Sequence, residues 1–314
     1  MNRDLTDTRA AEVLAALGEA RRRAGIAALG MVLTLVIDVD EAGHYDAVRA
    51  AVAASREHPC RIVAVIRRTG DRSTPRMDAE LRVGEDYSLA EVAVLRLYGP
   101  LRQHAASVVL PLLLSDAPVL VWWPGGGPVD PAHDELGALA QRRVTDSAAN
   151  RDPLATLRER AAHHAPGDTD FAWTRVTPWR TLLAAALDQP FDPLTGGVVA
   201  AARRNPSAEL LATWLEWRLG IEVERRVSKG PGITEVRLCT RSGDIAITRP
   251  DGRLARLSRP GQPDRTVPLP RRLAPELLAE EMRRLDPDDT YSEVLRRLSM
   301  SADPAAEAAE ATTG

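Results

Sequence analysis

Three short runs limit what this chain can fold into: MVLTLVIDVD (residues 31–40), CRIVAVIRR (60–68) and PVLVWWP (118–124). Each is continuous, apolar and rich in β-branched residues, the pattern of a strand buried on both faces. Between the first two lies HYDAVRAAVAASREHP, with Tyr45, Val48, Val52 and Ser55 at helical spacing. Strand, helix and strand in that order make a parallel pair with a right-handed crossover. Residues 1–150 therefore read as an α/β layer domain with a mixed, mostly parallel sheet.

The remaining segments of that half fit the same plan. An opening amphipathic helix places Val13, Leu14 and Leu17 on one face, and DAELRVG and AEVAVLRLYG have strand length and pattern. LRQHAASVVLPLLLSD reads as a helix kinked at Pro111, and DELGALAQRR as another helix.

Residues 151–300 have a different character. DFAWTRVTPWRTLLAAALDQP is helical, as one kinked helix or two short ones. SAELLATWLEWRLG is a helix capped by Ser207 and closed by Gly220. IEVERRV, GITEVRLCTR, GDIAITRPDG, RLARLSRPG and RTVPLPRR then follow in quick succession, separated by turn dipeptides, which predicts an antiparallel meander. The expected second domain is again α/β, a meander with flanking helices, ending in a helical stretch broken at Pro287. The small, polar segment 301–314 is expected to be a disordered tail.

Charge and composition remove several function classes. With 44% apolar residues the chain can bury a large core, and a net charge of -3 supplies no field to draw a phosphate backbone, so nucleic acid is not an expected partner. The greasiest stretch, SVVLPLLLSDAPVLVWWPGG, is interrupted by Pro111, Asp116 and Pro118 and cannot be one spanning helix, so no membrane partner is expected. Cys60 and Cys239 form no CxxC pair or zinc motif and are each expected to be a small buried residue in a reducing cytoplasm. Lys229, in RVSKGPG, is the single lysine, so any Schiff-base or phosphate-loop lysine would have to be this one.

No strong catalytic motif is present: there is no GxGxxG after the first strand, no GxxxxGK[ST], no HExxH and no GxSxG. WWPGGGP follows a strand but lacks the lysine and hydroxyl of a nucleotide cradle, so it reads as a turn, with ligand binding as the alternative. The six histidines are expected in surface or capping roles. In QRRVTDSA, Arg142 and Arg143 could bind a carboxylate or phosphate, or pair with Asp146 or a helix C-terminus.

GDTDFAWTRVTPWR (167–180) is dense in aromatic and charged residues. Asp168 or Thr169 is the expected N-cap of its first helix, and Thr177 before Pro178 that of a second, with Trp179 stacking over Leu183 in the core. Trp173, Arg175 and Arg180 read either as a partner surface or as a boundary tryptophan with arginine over it. No nucleophile is paired with a base, so no catalytic residue, cofactor or metal is assigned and the chain is read as not an enzyme.

Several stretches in one order carry a resemblance: SREHPCRIVAVI, VVLPLLLSDAPVLVWWPGG, GALAQRRVTDSA, PGDTDFAWTRVTPWRTLLAAALDQP and RPDGRLARLSRPGQPDRTVPLPRR. Together they resemble the OpcA family, the glucose-6-phosphate dehydrogenase assembly proteins of actinobacteria and cyanobacteria, over nearly the whole chain. The resemblance implies a non-catalytic, cytoplasmic partner of glucose-6-phosphate dehydrogenase that promotes its active oligomer and activates it allosterically at the entry of the pentose phosphate pathway. The arginine-rich, lysine-poor composition suits an actinobacterial source. The expected contact surface includes Trp173, Arg175 and Arg180, Trp122 and Trp123, and Arg142 and Arg143. The alternative is an α/β small-ligand-binding protein or enzyme using the loop after Trp122 and Trp123.

Overall fold

The computed structural model describes residues 2–23, 30–70, 74–84 and 90–301. The first part of the chain forms β1 (Asn2–Leu5), α1 (Ala10–Arg23), β2 (Leu33–Val39), α2 (His44–Ala54), β3 (Cys60–Arg67), β4 (Arg76–Val83), β5 (Glu91–Tyr98), α3 (Ala105–Val109), β6 (Val119–Trp122) and β7 (Arg142–Thr145). Then come α4 (Pro153–Ala162), β8 (Asp168–Asp170), α5 (Phe171–Thr174), α6 (Thr177–Leu187), β9 (Leu194–Ala201), α7 (Pro206–Leu219) and β10 (Val223–Val227). β11 (Ile233–Thr240), β12 (Ile245–Thr248), β13 (Leu254–Ser258), β14 (Arg265–Pro268), α8 (Ala274–Arg283) and α9 (Asp289–Ser301) complete it.

The chain divides into two units, and both are discontinuous. The first takes residues up to Asp146, Ala165–Thr169 and Leu273–Pro287; the second takes Ser147–His164, Asp170–Arg272 and the residues from Asp288 onward.

In the first unit an eight-stranded sheet runs in the order β1-β4-β5-β3-β2-β6-β7-β8. β5, β3, β2, β6 and β7 are parallel neighbours, while β4 joins β5, and β1 joins β4, antiparallel. The predicted mixed, mostly parallel sheet is thus present. β3 is buried along nearly its whole length, as its unbroken apolar run requires. β1 was not foreseen: NRDL has no apolar periodicity, and its place at the edge comes from main-chain pairing to Leu81 and its neighbours.

The helices of this unit are where periodicity misled. α1 buries Val13, Ala16, Leu17 and Ala20 but leaves Leu14 39% exposed. α2 buries His44, Ala47, Val48, Ala51 and Ala54 and turns Tyr45 outward, because alanines let the helix lie close to the sheet. The segment expected as one helix kinked at Pro111 is α3 alone, five residues between two 3-10 turns at Gly99–Gln103 and Leu110–Leu112. Pro111 has no amide to donate to the preceding turn, and the tighter turn Leu110–Leu112 holds it near its start, where no amide is needed.

DELGALAQRR is not a helix either. Only Gly137–Leu139 turns, and a side chain on Gly137 would collide with the Pro131 carbonyl oxygen at 1.8 Å. Asp134 Oδ1 accepts the Leu136 and Gly137 amides, and the chain then extends at Ala140 into β7.

In the second unit a six-stranded sheet has the order β10-β9-β11-β12-β13-β14. β9 and β10 are parallel across α7, and all other pairs are antiparallel. The expected meander is present from β11 to β14, but IEVERRV (β10), expected as its first strand, pairs with β9 at the edge instead of with β11. Trp179, Leu183, Leu211, Leu215, Val236 and Ile247 belong to one core. The cap of α7 is Asn205 and not Ser207: Asn205 Oδ1 accepts the Ala208 amide, and Pro206 fills the first helical position, where no amide is needed. Gly220 closes the helix in the left-handed conformation, as predicted. α8 and α9 flank the break at Pro287. The expected tail, 301–314, lies outside the described residues beyond Ser301.

Candidate functional site

The two arginines after the first unit's glycine-rich turn are strand residues of β7, each held by a carboxylate. Arg142 donates through Nε (3.0 Å) and Nη2 (2.5 Å) to Glu281 on α8, and through Nη1 to the Asp286 carbonyl. Arg143 donates to Asp168 Oδ1 and to the Ala140 and Pro166 carbonyls. Both are buried. The expected partners, Asp146 or a helix C-terminus, are replaced by acids far along the chain, because a strand residue faces its sheet neighbours and not the next turn.

Trp122 ends β6 and Trp123 follows it, and both are at most 3% exposed. Trp123 packs against Gly137, and its amide donates to the Val144 carbonyl. Gly125 and Gly126 have nothing within 4 Å of a notional side chain, so this glycine run is an open turn and not a close-fitting cradle.

In the second unit Asp170, rather than Asp168 or Thr169, caps α5, accepting the Ala172 amide. The same buried carboxylate accepts from the Ser147 amide and hydroxyl and lies 3.3 Å from Arg160. The second helix starts at Thr177, with Val176 as its cap residue, and Trp179 and Leu183 are buried. Trp173 is buried too, its indole N–H donating to Asp288 Oδ2 at 2.8 Å. Arg180 covers its ring, with the guanidinium carbon 3.8 Å from the centroid. Arg175 lies over Phe171 at 5.9 Å, and both arginines remain half-buried. The seven expected contact residues therefore fall into separate groups. Trp122, Trp123, Arg142 and Arg143 belong to the first unit and Trp173, Arg175 and Arg180 to the second, and only Arg175 and Arg180 are not buried.

A further group was missed. β2 leads to β3 on one side of it, and its other neighbour β6 leads to β7, so the strand order reverses between β2 and β6. In open parallel sheets ligands bind beyond the strand C-termini at such a point. Here the position is taken by the chain's own side chains. Asp38, near the end of β2, pairs with Arg67 at the end of β3 (3.1 Å), and Arg67 also reaches Glu135 (3.0 Å). Burial raises the Asp38 carboxyl above its usual range and Asp134 adds to the rise, against the opposing Arg67 guanidinium.

The turn that follows reads Asp40-Glu41-Ala42-Gly43. Asp40 Oδ1 accepts the Gly43 amide at 2.7 Å, and Glu41 binds Arg96 and Arg68. Despite some burial, those two guanidiniums hold Glu41 below its ordinary value. A pyrophosphate needs glycines for close approach and a helix N-terminus clear of anions; α2 instead begins behind Asp40, Glu41 and Asp46. The signal was legible in principle: a charge at the C-terminal end of each buried run, Asp38 in LVIDVD and Arg67 in AVIRR.

His44, expected in a surface or capping role, is buried, with Nδ1 2.7 Å from the Glu41 carbonyl oxygen. Cys60 and Cys239 are both free, and Cys60 is fully buried. Among the described residues no three His, Cys, Asp or Glu side chains are grouped to hold a metal, and no helix is long and apolar enough to cross a membrane.

No curated protein sequence matches the chain. Solved structures of low similarity include a 3-ketoreductase from Actinomadura kijaniata in complex with NADP, 11% identical over 85% of this chain and 95% of that one, TM-score 0.48. An oxidoreductase from Sinorhizobium meliloti is 11% identical over 87% and 90%, TM-score 0.43. Likeness at that level says nothing of activity. Two family models match far more closely to the chain's own organisation. The N-terminal domain of the glucose-6-phosphate dehydrogenase subunit matches residues 51–162, and its C-terminal domain matches 166–295. With both domains present in order, the chain belongs to the OpcA family of glucose-6-phosphate dehydrogenase subunits.

Proposed function

We propose that this protein is a non-catalytic assembly factor and allosteric activator of glucose-6-phosphate dehydrogenase, acting in the cytoplasm at the entry of the pentose phosphate pathway. The observation that carries the reading is the match of two successive family models described as domains of a dehydrogenase subunit. The acidic first turn of the parallel sheet supports a chain that does not itself hold the dinucleotide, since Asp40 already occupies the Gly43 amide.

An activator of this kind must bind the active oligomer more tightly than the inactive form, because a binder indifferent to the two shifts nothing. Moving a population from 1:99 to 99:1 takes roughly 10⁴-fold preference. Arg175 and Arg180 supply a fitting contact: each is half-buried over an aromatic ring that fixes its guanidinium, so little side-chain entropy is lost when an acidic partner arrives. Trp173 lies below Arg180 and Phe171 below Arg175, and each buried ring holds its arginine in place; Trp122, Trp123, Arg142 and Arg143 are buried within the other unit and are left out of this contact. Light scattering of the purified chain mixed with the dehydrogenase of its own organism tests the association. A species heavier than either protein alone is expected; two unchanged masses at micromolar concentration would overturn the reading.

A further inference from the structure

Three connections of the second unit's sheet meet at one of its ends: residues 228–232 before β11, 249–253 after β12 and 269–272 after β14. The Leu269 amide donates to the Arg253 carbonyl (2.9 Å) and the Arg271 amide to the Gly252 carbonyl (3.0 Å). Pro231 lies against Gly252, and the Pro250 carbonyl lies against Gly230. Together these segments carry Lys229, Arg249, Arg253, Arg271 and Arg272 against one acid, Asp251. Asp251 is turned to its own loop, accepting the Arg253 and Leu254 amides.

Arg249 is the unusual member. It is 5% exposed, donates Nη1 to the Leu269 carbonyl and Nη2 to the Ile233 carbonyl (both 2.9 Å), and has no acceptor for Nε. Its guanidinium lies 4.9 Å from the Trp179 ring. The other buried arginines among the described residues each have a carboxylate: Arg61 has Glu91, Arg142 has Glu281, Arg143 has Asp168 and Arg160 has Asp170. Arg249 has none in contact: Asp251 acts on it only through space, and more weakly than the neighbouring cation Arg271. Burial first, and then Arg271, push its pKa down to about 10, which still leaves it charged at neutral pH. A buried cation with no carboxylate in contact is expensive, so a fold that keeps one has a use for it.

The space beside it is defined by Gly232, in the left-handed region at φ +71°. A side chain there would start 3.7 Å from Arg249 Nη2 and 3.8 Å from Arg271 Nε, and nothing nearer bounds it. We propose that this space, between Arg249 and Arg271 beside Gly232, is a binding site for a small soluble phosphate or phosphate monoester. Two guanidiniums without an acid between them are balanced by a dianion, where a single carboxylate would leave one charge over, and forked N–H donors match phosphate oxygens. The site lies wholly within the second unit and does not depend on the dehydrogenase-binding reading.

The test uses the full chain alone. Its thermal midpoint is followed as inorganic phosphate is added, against sodium chloride at matched ionic strength. The site predicts a saturable rise in phosphate, about 2–5 °C beyond the chloride control at roughly ten times Kd. Arg271→Gln, at an exposed position that leaves the core intact, removes the phosphate-specific rise, and Arg253→Gln keeps it. Equal rises in phosphate and chloride, or a full phosphate response in R271Q, would overturn the proposal. If R271Q does not fold, the phosphorus NMR line of inorganic phosphate decides. Broadening by the unaltered chain that a phosphate monoester displaces supports the site, and no broadening overturns it.

Discussion

Trp173 meets three neighbours at once: Asp288 accepts a hydrogen bond from its indole N–H, Tyr291 packs on its ring 5.6 Å away, and Arg180 covers it. Trp173→Ala removes all three and leaves a cavity, and is expected to lower unfolding free energy by about 3–5 kcal/mol in urea titrations. Trp173→Phe keeps most of the packing and loses the bond to Asp288, an expected loss of about 1–3 kcal/mol. Arg180→Ala, at a half-buried position, is expected to cost about 1 kcal/mol or less, so its effect on the dehydrogenase can be measured in a folded protein. A different pattern, with R180A as damaging as W173A, would make Arg180 a core residue instead of a contact residue.

The cysteines give a second test at the residue scale. Burial pushes the Cys60 thiol up to about 12. Folded, it stays protonated and shielded, while the partly exposed Cys239, also raised by burial, remains reachable. Maleimide labelling of the native chain is expected at Cys239 alone, and of the denatured chain at both. Because the folded pKa of Cys60 exceeds its unfolded value, its stabilising contribution is complete below about pH 9 and is lost as pH rises from there towards 12, by about 1.4 kcal/mol per pH unit. Cys60→Ala is expected to flatten that alkaline loss; an unchanged slope contradicts the buried-thiol account.

At the scale of elements, α8 is fixed by a buried pair that the local sequence hides. Arg142 on β7 and Glu281 on α8 are 139 residues apart, and both are almost fully buried. Glu281→Ala leaves a buried guanidinium unpaired, with an expected loss of about 3–5 kcal/mol, whereas the double change R142M/E281L is expected to recover most of it. Denaturation midpoints of the two variants check this, and equal losses would place Arg142 in water instead.

The same pair shows what could be read in advance. β2, β3 and β6 were legible because burial on both faces demands an unbroken apolar run, and the meander was legible from its turn dipeptides. β7 was not, since RRVT is four residues long and half charged, and its burial depends on Glu281 and Asp168, which no window around it contains. α3 was over-extended because an apolar stretch with one proline looks alike as a kinked helix and as successive short turns. Of the expected contact residues, the pairing of Trp173 with Arg180 is one of the two readings the sequence offers, and the burial of Trp122 and Trp123 follows from their buried strand and argues against their place on a contact surface. The burial of Arg142 and Arg143 is not legible, since guanidinium groups serve cores and interfaces alike and only their partners tell the two apart.

At the scale of the whole molecule, the two sheets divide the labour differently. The mostly parallel sheet closes its own switch point with Asp38, Arg67 and Glu135, and the turn that would receive a pyrophosphate is lined by Asp40 and Glu41. The other unit presents Arg175 and Arg180 over fixed aromatic rings, and at the end of its sheet a buried Arg249 with no carboxylate in contact. The proposal that this protein acts through the dehydrogenase's site rests on its family, described as a dehydrogenase subunit, and on side chains of its own filling this crevice.

That central claim is tested most directly by a steady-state rate. Purified glucose-6-phosphate dehydrogenase from the same organism is held at fixed concentration while this protein is titrated in, with NADPH or NADH formation as the readout. A saturable rise in rate, with no turnover by this protein alone and a weaker response from the R175A/R180A double variant, is the predicted result. An unchanged rate at saturating concentration, with both proteins folded, or turnover by this protein without the dehydrogenase, would contradict it.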